Sequence, residues 1–313
     1  MKILSWNVQG AFPPQGSPDR ISRQIEYIQE TAQNPDVLML NEVSTNRREL
    51  WHDRLKDIGY DEVTDTLDIA REIGESEIPP YHDRGGSNGN LTAIHRSSQL
   101  QNLTRHLPGL GDDHVEDSDL KHWSTNFPEK VLNTTVEVPK SDDGVDLGLD
   151  LWNVRTVPGS MYGEEKIKIL EDVYHRILKK KTKYHRVLAG DFNSPKDETK
   201  EGEVIPFGED KDGKVGRRWR KAERNFLTGL KEAGMVDVFR EVHGYGDLDV
   251  LDVSHATRTE DPLSVPPEDV RGVRFDHIIA STELQPQGCR YDQDGFRCSD
   301  HAPLIAEFGI EWE

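Results

Sequence analysis

The sequence predicts an α/β fold, and three observations carry that prediction. Residues 2–8 alternate, with Ile3, Ser5 and Asn7 on one side and Leu4, Trp6 and Val8 on the other, the pattern of a strand that ends near Gly10. Ser17-Pro18 then reads as a helix cap with proline in the first turn, Ile21, Ile25 and Ile28 follow at helical spacing, and Val37-Leu38-Met39-Leu40 is a second buried strand. Strand, helix, strand in that order implies a parallel pair with a right-handed crossover, so Asn7 and Glu42 should emerge at one edge of a sheet. The third observation is Val187-Leu188-Ala189-Gly190-Asp191-Phe192-Asn193, an apolar run that stops at a glycine and presents an acid and an amide. On extended chain Asp191 and Asn193 point the same way while Phe192 turns back into the core.

The remaining elements follow in order. Residues 67–90, rich in Glu, Pro, Gly and Asn, read as a long surface loop before a strand at 91–94, and a second polar excursion runs from about 106 to 129. Residues 131–138 and 147–154 are strands, and a helix over roughly 164–180 turns Ile167, Leu170, Val173 and Ile177 inward. After the strand at 187–191, the stretch 196–216 is charged and glycine-punctuated. Ala222, Phe226, Leu230 and Ala233 then mark a helix closed by Gly234, and 273–280 and 302–308 are the last strands.

With 313 residues and no linker composition, the chain reads as one domain over 1–313. A start that leads straight into a strand, and no apolar run of membrane length, point to a monomer in the cytoplasm with no membrane partner. The net charge of −19 disfavours a phosphate-backbone partner unless a local basic patch and divalent cations offset it. Cys289 and Cys298 flank the hairpin signal Asp294-Gly295, and in that compartment they read as two reduced thiols.

Polar residues collect at the strand ends: Asn7, Glu42, Asn153, Asp191, Asn193, Asp276, Asp300 and His301. Several acids and amides with one histidine suit Mg²⁺ or Mn²⁺, which prefer oxygen donors, whereas the absence of a Cys cluster or a His-x-x-x-His helix disfavours zinc. The chemistry that fits is phosphoester hydrolysis. A metal offsets phosphoryl charge, a carboxylate deprotonates the attacking water, and an imidazolium held by a neighbouring acid donates to the developing anion.

Trp6-Asn7, Leu40-Asn41-Glu42, Gly190-Asp191-Phe192-Asn193, Arg274-Phe275-Asp276-His277 and Ser299-Asp300-His301-Ala302-Pro303 resemble, in order, the motifs of the endonuclease/exonuclease/phosphatase superfamily. That superfamily includes abasic-site endonucleases, deoxyribonuclease I, inositol-polyphosphate 5-phosphatases and neutral sphingomyelinases. The resemblance spans residues 3–308 and implies a four-layered α/β sandwich, two mixed sheets face to face with helices outside. It also implies Glu42 as the main metal carboxylate with Asn7 beside it and Asp300 as a second acid near the metal. Asp191 would activate the water and Asn193 orient it, His301 would contact the phosphate, and Asp276 would orient His301.

The chain departs from that pattern in two places. After the strand at 149–154 it reads Asn153-Val154-Arg155-Thr156-Val157-Pro158-Gly159, with Thr156 where the abasic-site branch has Tyr and Arg155 where the deoxyribonuclease branch has His. Ser254-His255-Ala256-Thr257-Arg258 stands where many nucleases place an aromatic wedge. Asn153 remains a candidate catalytic amide, and Arg155 a candidate substrate contact. Lys211, Lys214, Arg217, Arg218, Arg220, Lys221 and Arg224 read either as a solvated face or as a phosphate clamp, with Arg217, Arg218 and Lys221 the candidate substrate-binding residues. His95, His106, His114, His122 and His255 read as surface residues, and His277, opposite in phase to Asp276, as packing.

The sequence therefore predicts a Mg²⁺- or Mn²⁺-dependent phosphodiester hydrolase, a DNA endonuclease or exonuclease. The alternatives are a phosphatase or phosphodiesterase for a small phosphorylated molecule or lipid head group, and a binding module without turnover.

Overall fold

Every strand that lines the interior does so by two-residue alternation, and the structure, a computed structural model, divides those strands between two sheets. It describes residues 1–10, 17–74, 87–107, 123–138, 147–180, 182–207, 214–245, 252–256 and 272–310. The chain runs β1 (Lys2–Asn7), α1 (Pro18–Glu26), β2 (Val37–Ser44), α2 (Arg48–Asp57), β3 (Tyr60–Asp65), α3 (Leu67–Gly74), β4 (Asn88–His95) and β5 (Gln101–Leu107). Then come β6 (Val131–Glu137), β7 (Gly148–Val154), α4 (Gly159–Lys179), β8 (His185–Asp191), the short pair β9 (Asp197–Glu198) and β10 (Val204–Ile205), and α5 (Lys214–Leu227). The last elements are β11 (Met235–Asp237), α6 (Val238–His243), β12 (His255–Ala256), β13 (Gly272–Val273), β14 (Asp276–Ser281), β15 (Pro286–Tyr291) and β16 (Leu304–Phe308).

One six-stranded sheet has the order β15-β16-β1-β2-β4-β3, the other β11-β14-β8-β7-β6-β5. Both are mixed, with β1–β2 and β7–β8 the parallel pairs, each bridged by a helix. In register, Asn7 lies opposite Asn41 and Asp276 opposite Asp191. The facing sides meet in one core that includes Ile3, Val37, Met39, Leu149, Leu151, Val187, Ala189, Ile278 and Ala280. The residues between them in phase face outward: Leu4, Trp6, Leu38 and Leu40 pack on α1 and α2, and Trp152, Leu188 and Ile279 on α4 and α5. Helix, sheet, sheet, helix is the four-layered sandwich that the sequence motifs implied.

Ser17 caps α1 by accepting from Arg20 N at 3.3 Å, and Ile21, Ile25 and Ile28 are buried as the periodicity required. Elsewhere the structure corrects the sequence reading. Leu67–Gly74 is helix and β4 begins at Asn88, so the expected loop at 67–90 shrinks, its middle lying outside the described residues. The polar excursion starting at 106 is entered by β5, and residues 108–122 lie outside the description. α5 ends at Leu227, with Leu230 and Ala233 in a separate 3-10 turn that Gly234 closes at φ +70°. Both cysteines are free and buried, in line with the reduced reading. No described helix is long and apolar enough to cross a membrane.

Candidate active site at the polar end of the inter-sheet core

The alternation that buries Ile3, Leu149 and Leu151, Val187 and Ala189, and Ile278 and Ala280 continues, in the same phase, to Asn7, Asn153, Asp191 and Asp276. The inter-sheet layer is thus apolar along most of its length and polar at one end. β2 joins that end through a bulge: its register with β4 shifts between Leu40 and Val43, and Glu42 has φ +57°. A bulge lets two successive side chains, Asn41 and Glu42, both reach the inner side, which a regular strand forbids.

Amides form the floor. Asn41 Nδ2 donates to Asn153 Oδ1 at 2.7 Å and to Asn90 Oδ1 at 3.1 Å, while Asn41 Oδ1 accepts from Asp191 N at 2.9 Å. Asn153 Nδ2 donates to Leu91 O at 2.9 Å and Leu40 O at 3.2 Å, so its carboxamide is used up in tying the sheets together. Asn153 is fully buried, and the structure places it beneath the acids rather than among them. Gly190 is required by the same close approach: it has φ +139°, and a Cβ there would stand 1.9 Å from Val154 O.

Above that floor Asp191 is held on both oxygens. Its Oδ1 accepts from Asn193 N at 2.9 Å, and its Oδ2 accepts from Asn7 Nδ2 at 2.9 Å and Asn193 Nδ2 at 3.2 Å. Asn193 turns back at φ +46°, which brings its amide beside Asp191 while Phe192 packs against Phe226 in the outer core. Asn7 Nδ2 also reaches Glu42 Oε1 at 3.2 Å, and the Arg155 guanidinium caps Glu42 through Nη2. Across the pocket His301 donates from Nδ1 to Asp276 Oδ2 at 2.7 Å, leaving Nε2 for a ligand. Ser299 Oγ donates to Asn7 O at 2.6 Å and Trp6 Nε1 to His301 O at 2.8 Å, fixing the last loop to the first strand.

Charge follows from this geometry. Burial pushes Asp191 up and Asp276 adds to it, against the pull of His301 and Arg155, leaving it at about 6. Burial alone would depress His301, but Asp276 and Asp191 outweigh it and raise the imidazole to about 10. For Glu42, burial is overcome by Arg155, His301 and the Asn7 bond, which hold the carboxyl below its ordinary value.

The residues fit a hard divalent cation. Asp191, Asp276 and His301 offer ligand atoms within 4.8 Å of one another, and Asp276 Oδ1 and Asp300 Oδ1 are buried with no hydrogen-bond partner among the described residues. Glu42 lies outside that group but shares the Asn7 amide with Asp191, so Glu42 and Asp191 would supply the main oxygens, while a protonated His301 would not ligate. Asn7 turns its amide nitrogen to both acids, because its Oδ1 accepts from Gln9 N at 2.9 Å. Asp300 lies with His255 and His301 in a second such group.

The predicted basic clamp is corrected in part. Arg218 is engaged by Glu164 and Glu171, each at 2.6 Å, so it is a link between α4 and α5. Arg217 and Lys221 are exposed on α5, Lys211 lies outside the described residues, and nothing is described of the Lys214 side chain. His277 donates from its ring nitrogens to Asp237 Oδ2 (3.1 Å) and Ser194 O (2.9 Å), a buried structural role as its phase implied.

Sequence reasoning missed three groups. His255 is half-buried, stacked on Phe275 at 5.5 Å and 4.6 Å from the His301 ring, and burial and the His301 charge depress its pKa. Lys166 donates to Asn193 O at 2.6 Å and to Glu223 Oε1 at 2.8 Å, steadying the turn after Asp191 from behind. A signal for that pair existed: Lys166 stands in the stripe of Leu170, Val173 and Ile177, and Glu223 in that of Phe226 and Leu230, and a charge in an apolar stripe asks for a partner.

Solved structures with the same architecture were found over nearly the full length. An AP endonuclease from Archaeoglobus fulgidus is 19% identical with a TM-score of 0.59, covering 99% of this chain and 100% of its own. Humanized D. rerio TDP2 is 17% identical with a TM-score of 0.58, covering 99% of each chain. The 3' phosphatase NExo from Neisseria, bound to a product DNA hairpin, is 20% identical with a TM-score of 0.55, covering 99% of this chain and 100% of its own. At such identities these likenesses establish the fold. No curated protein sequence matches the chain. A family description does match, over residues 4–301, which takes in every strand-end residue discussed above, and by that match the chain belongs to the Endonuclease/Exonuclease/phosphatase family.

Proposed function

We propose that the chain is a divalent-metal-dependent phosphodiester hydrolase acting on DNA by direct attack of water. The observation that carries this reading is the facing pair: Asp191, fixed on both oxygens by Asn7 and Asn193, opposite His301, fixed by Asp276 at 2.7 Å. Asp191, at about 6, is ionised at neutral pH yet basic enough to take a proton from water. Asn193 and Asn7 hold its lone pairs in place, so that the proton leaves the water along one direction. His301, at about 10, stays protonated and donates from Nε2 to a phosphoryl oxygen as charge builds on it. A Mg²⁺ or Mn²⁺ held by Glu42 and Asp191 would supply Lewis-acid neutralisation of the phosphoryl and leaving oxygens. The DNA seen with the NExo relative supports nucleic acid as the substrate class.

A second reading, a small phosphodiester as substrate, is favoured by one observation: Arg218, expected to clamp backbone phosphates, is already paired with Glu164 and Glu171 on a chain of net charge −19. The test is a metal-dependent screen of single-stranded, double-stranded and abasic-site DNA beside bis(p-nitrophenyl) phosphate. Cleavage of DNA that disappears in His301→Ala and with chelator supports the first reading. Turnover of the small diester alone replaces it with the second, and no turnover of any substrate leaves a binding module.

A further inference from the structure

The Arg155 guanidinium lies over the two carboxylates that would hold the cation. Its Nη2 is in contact with Glu42 and its Nε is 3.9 Å from Asp191 Oδ2. Its backbone is fixed on both sides, since Arg155 N donates to Lys130 O at 2.9 Å and Thr156 N to Asp191 O at 2.9 Å. Glu42 is equally fixed by the bulge of β2 and by Asn7. Of the groups in this contact, the Arg155 side chain has the longest reach from a fixed backbone and so the widest swing by torsion alone. It is also incompletely used, because its Nε is buried with no hydrogen-bond partner among the described residues. A guanidinium is built to grip two oxygens at once, and here it grips one.

We propose that Arg155 is an intramolecular stand-in for the divalent cation, exchanged for it when a phosphodiester enters. This rests on the metal-dependent reading above. A divalent ion on Glu42 and Asp191 would be repelled by the Arg155 guanidinium for as long as it stays on Glu42. A phosphodiester anion offers two non-bridging oxygens in the spacing of the guanidinium fork, so it draws Arg155 off Glu42 and onto itself. Metal and substrate therefore enter together, and by linkage each raises the affinity for the other. Arg155 then does two things in sequence: it neutralises Glu42 in the resting protein and positions the scissile phosphate in the loaded one.

Binding, read apart from turnover, tests this. Free Mn²⁺ is followed by electron paramagnetic resonance as it is titrated into wild type, Arg155→Ala, Arg155→Gln and Arg155→Lys, with and without a phosphorothioate-linked deoxydinucleotide. Both neutral variants should bind Mn²⁺ about tenfold more tightly than wild type without dinucleotide, a coupling within the usual range for linked sites. Arg155→Lys, which keeps the charge, should stay near wild type. The dinucleotide should raise Mn²⁺ affinity more in wild type than in either neutral variant, where only direct metal–phosphate contact remains. Far-ultraviolet circular dichroism confirms the fold of each variant, and either neutral variant alone suffices. Equal Mn²⁺ affinity in wild type and a folded neutral variant would overturn this inference alone. Absence of Mn²⁺ binding in wild type and in every folded variant would overturn the metal-dependent reading and the inference with it.

Discussion

At the scale of single residues, the proposed mechanism makes the Asp276–His301 contact the upper limit of the working pH range. A raised imidazole pKa means the proton is present below about 10 and lost above it, while Asp191 is in its base form above about 6 and loses that form below. Turnover should rise as pH climbs through about 6 and fall as it passes about 10, and a bound cation beside Asp191 moves the lower limb further down. Asp276→Asn removes the carboxylate that holds the proton on His301, so the alkaline limb should shift to lower pH as kcat falls by about 10²–10⁴-fold, the usual worth of a positioned acid. A profile of kcat against pH that falls without moving would make Asp276 merely structural. Asp191→Asn should cost as much in kcat while leaving the melting temperature no lower, because burial already disfavours the charge that it removes. Asp191, Asn193 and Asp276 were legible because strand phase fixes the direction of a polar residue beside an apolar run, and His301 through its Ser299-Asp300-His301-Ala302-Pro303 motif. Arg155 was legible as a residue but not as a partner of Glu42, since four torsions separate its charge from its backbone. His255 stands in a two-residue strand, too short for phase to say which way it points.

Among elements, the turn after β8 is held from behind by two helices. Lys166 from α4 and Glu223 from α5 meet at 2.8 Å with their side chains almost wholly buried, and both grip that turn, Lys166 through Asn193 O and Glu223 through Ser194 Oγ. Lys166→Met leaves the Glu223 charge buried without its partner, at a cost of about 3–5 kcal/mol. Urea unfolding should show that loss, and Lys166→Met with Glu223→Leu should regain part of it. A single variant as stable as wild type would mean that the turn stands without the pair. Several elements missing from the sequence reading carry little apolar signal, although α3, with Leu67 and Ala70 buried, was missed inside a stretch rich in Glu, Pro and Gly. α2 turns only Trp51 and Leu55 fully inward, α6 is six residues long, and β15 starts at Pro286 and carries Gly288, which blunt its alternation. Where the period was strong, as in β1, β2, β8 and α4, type and position were both legible.

For the whole molecule, a second buried charge network joins strands far apart in sequence. Arg274 bonds Glu198 at 2.7 Å and Asp237 at 3.0 Å, with His277 at 3.1 Å from Asp237 and Arg240 also on Glu198. Burial would raise the Asp237 carboxyl, but Arg274 and His277 hold it well below the ordinary range, and Glu198 is lowered by the same neighbours. A depressed folded pKa gives stability that is whole above the unfolded value near 4 and is lost as pH falls below it. The melting temperature should therefore drop between pH 5 and pH 3, and Asp237→Asn, less stable at pH 5, should show a smaller drop over that window. An unchanged slope in the variant would assign the acid sensitivity elsewhere.

Ser299 binds Asn7, and Trp6 binds the backbone of His301, so the pocket closes only where the opening strand meets the closing loop. A chain synthesised as far as the end of β8 carries Glu42 and Asp191 but has not yet made the imidazole that faces them. On the proposed mechanism, a nascent copy that stops short of His301 lacks the group that would contact the phosphate and should not turn over a diester.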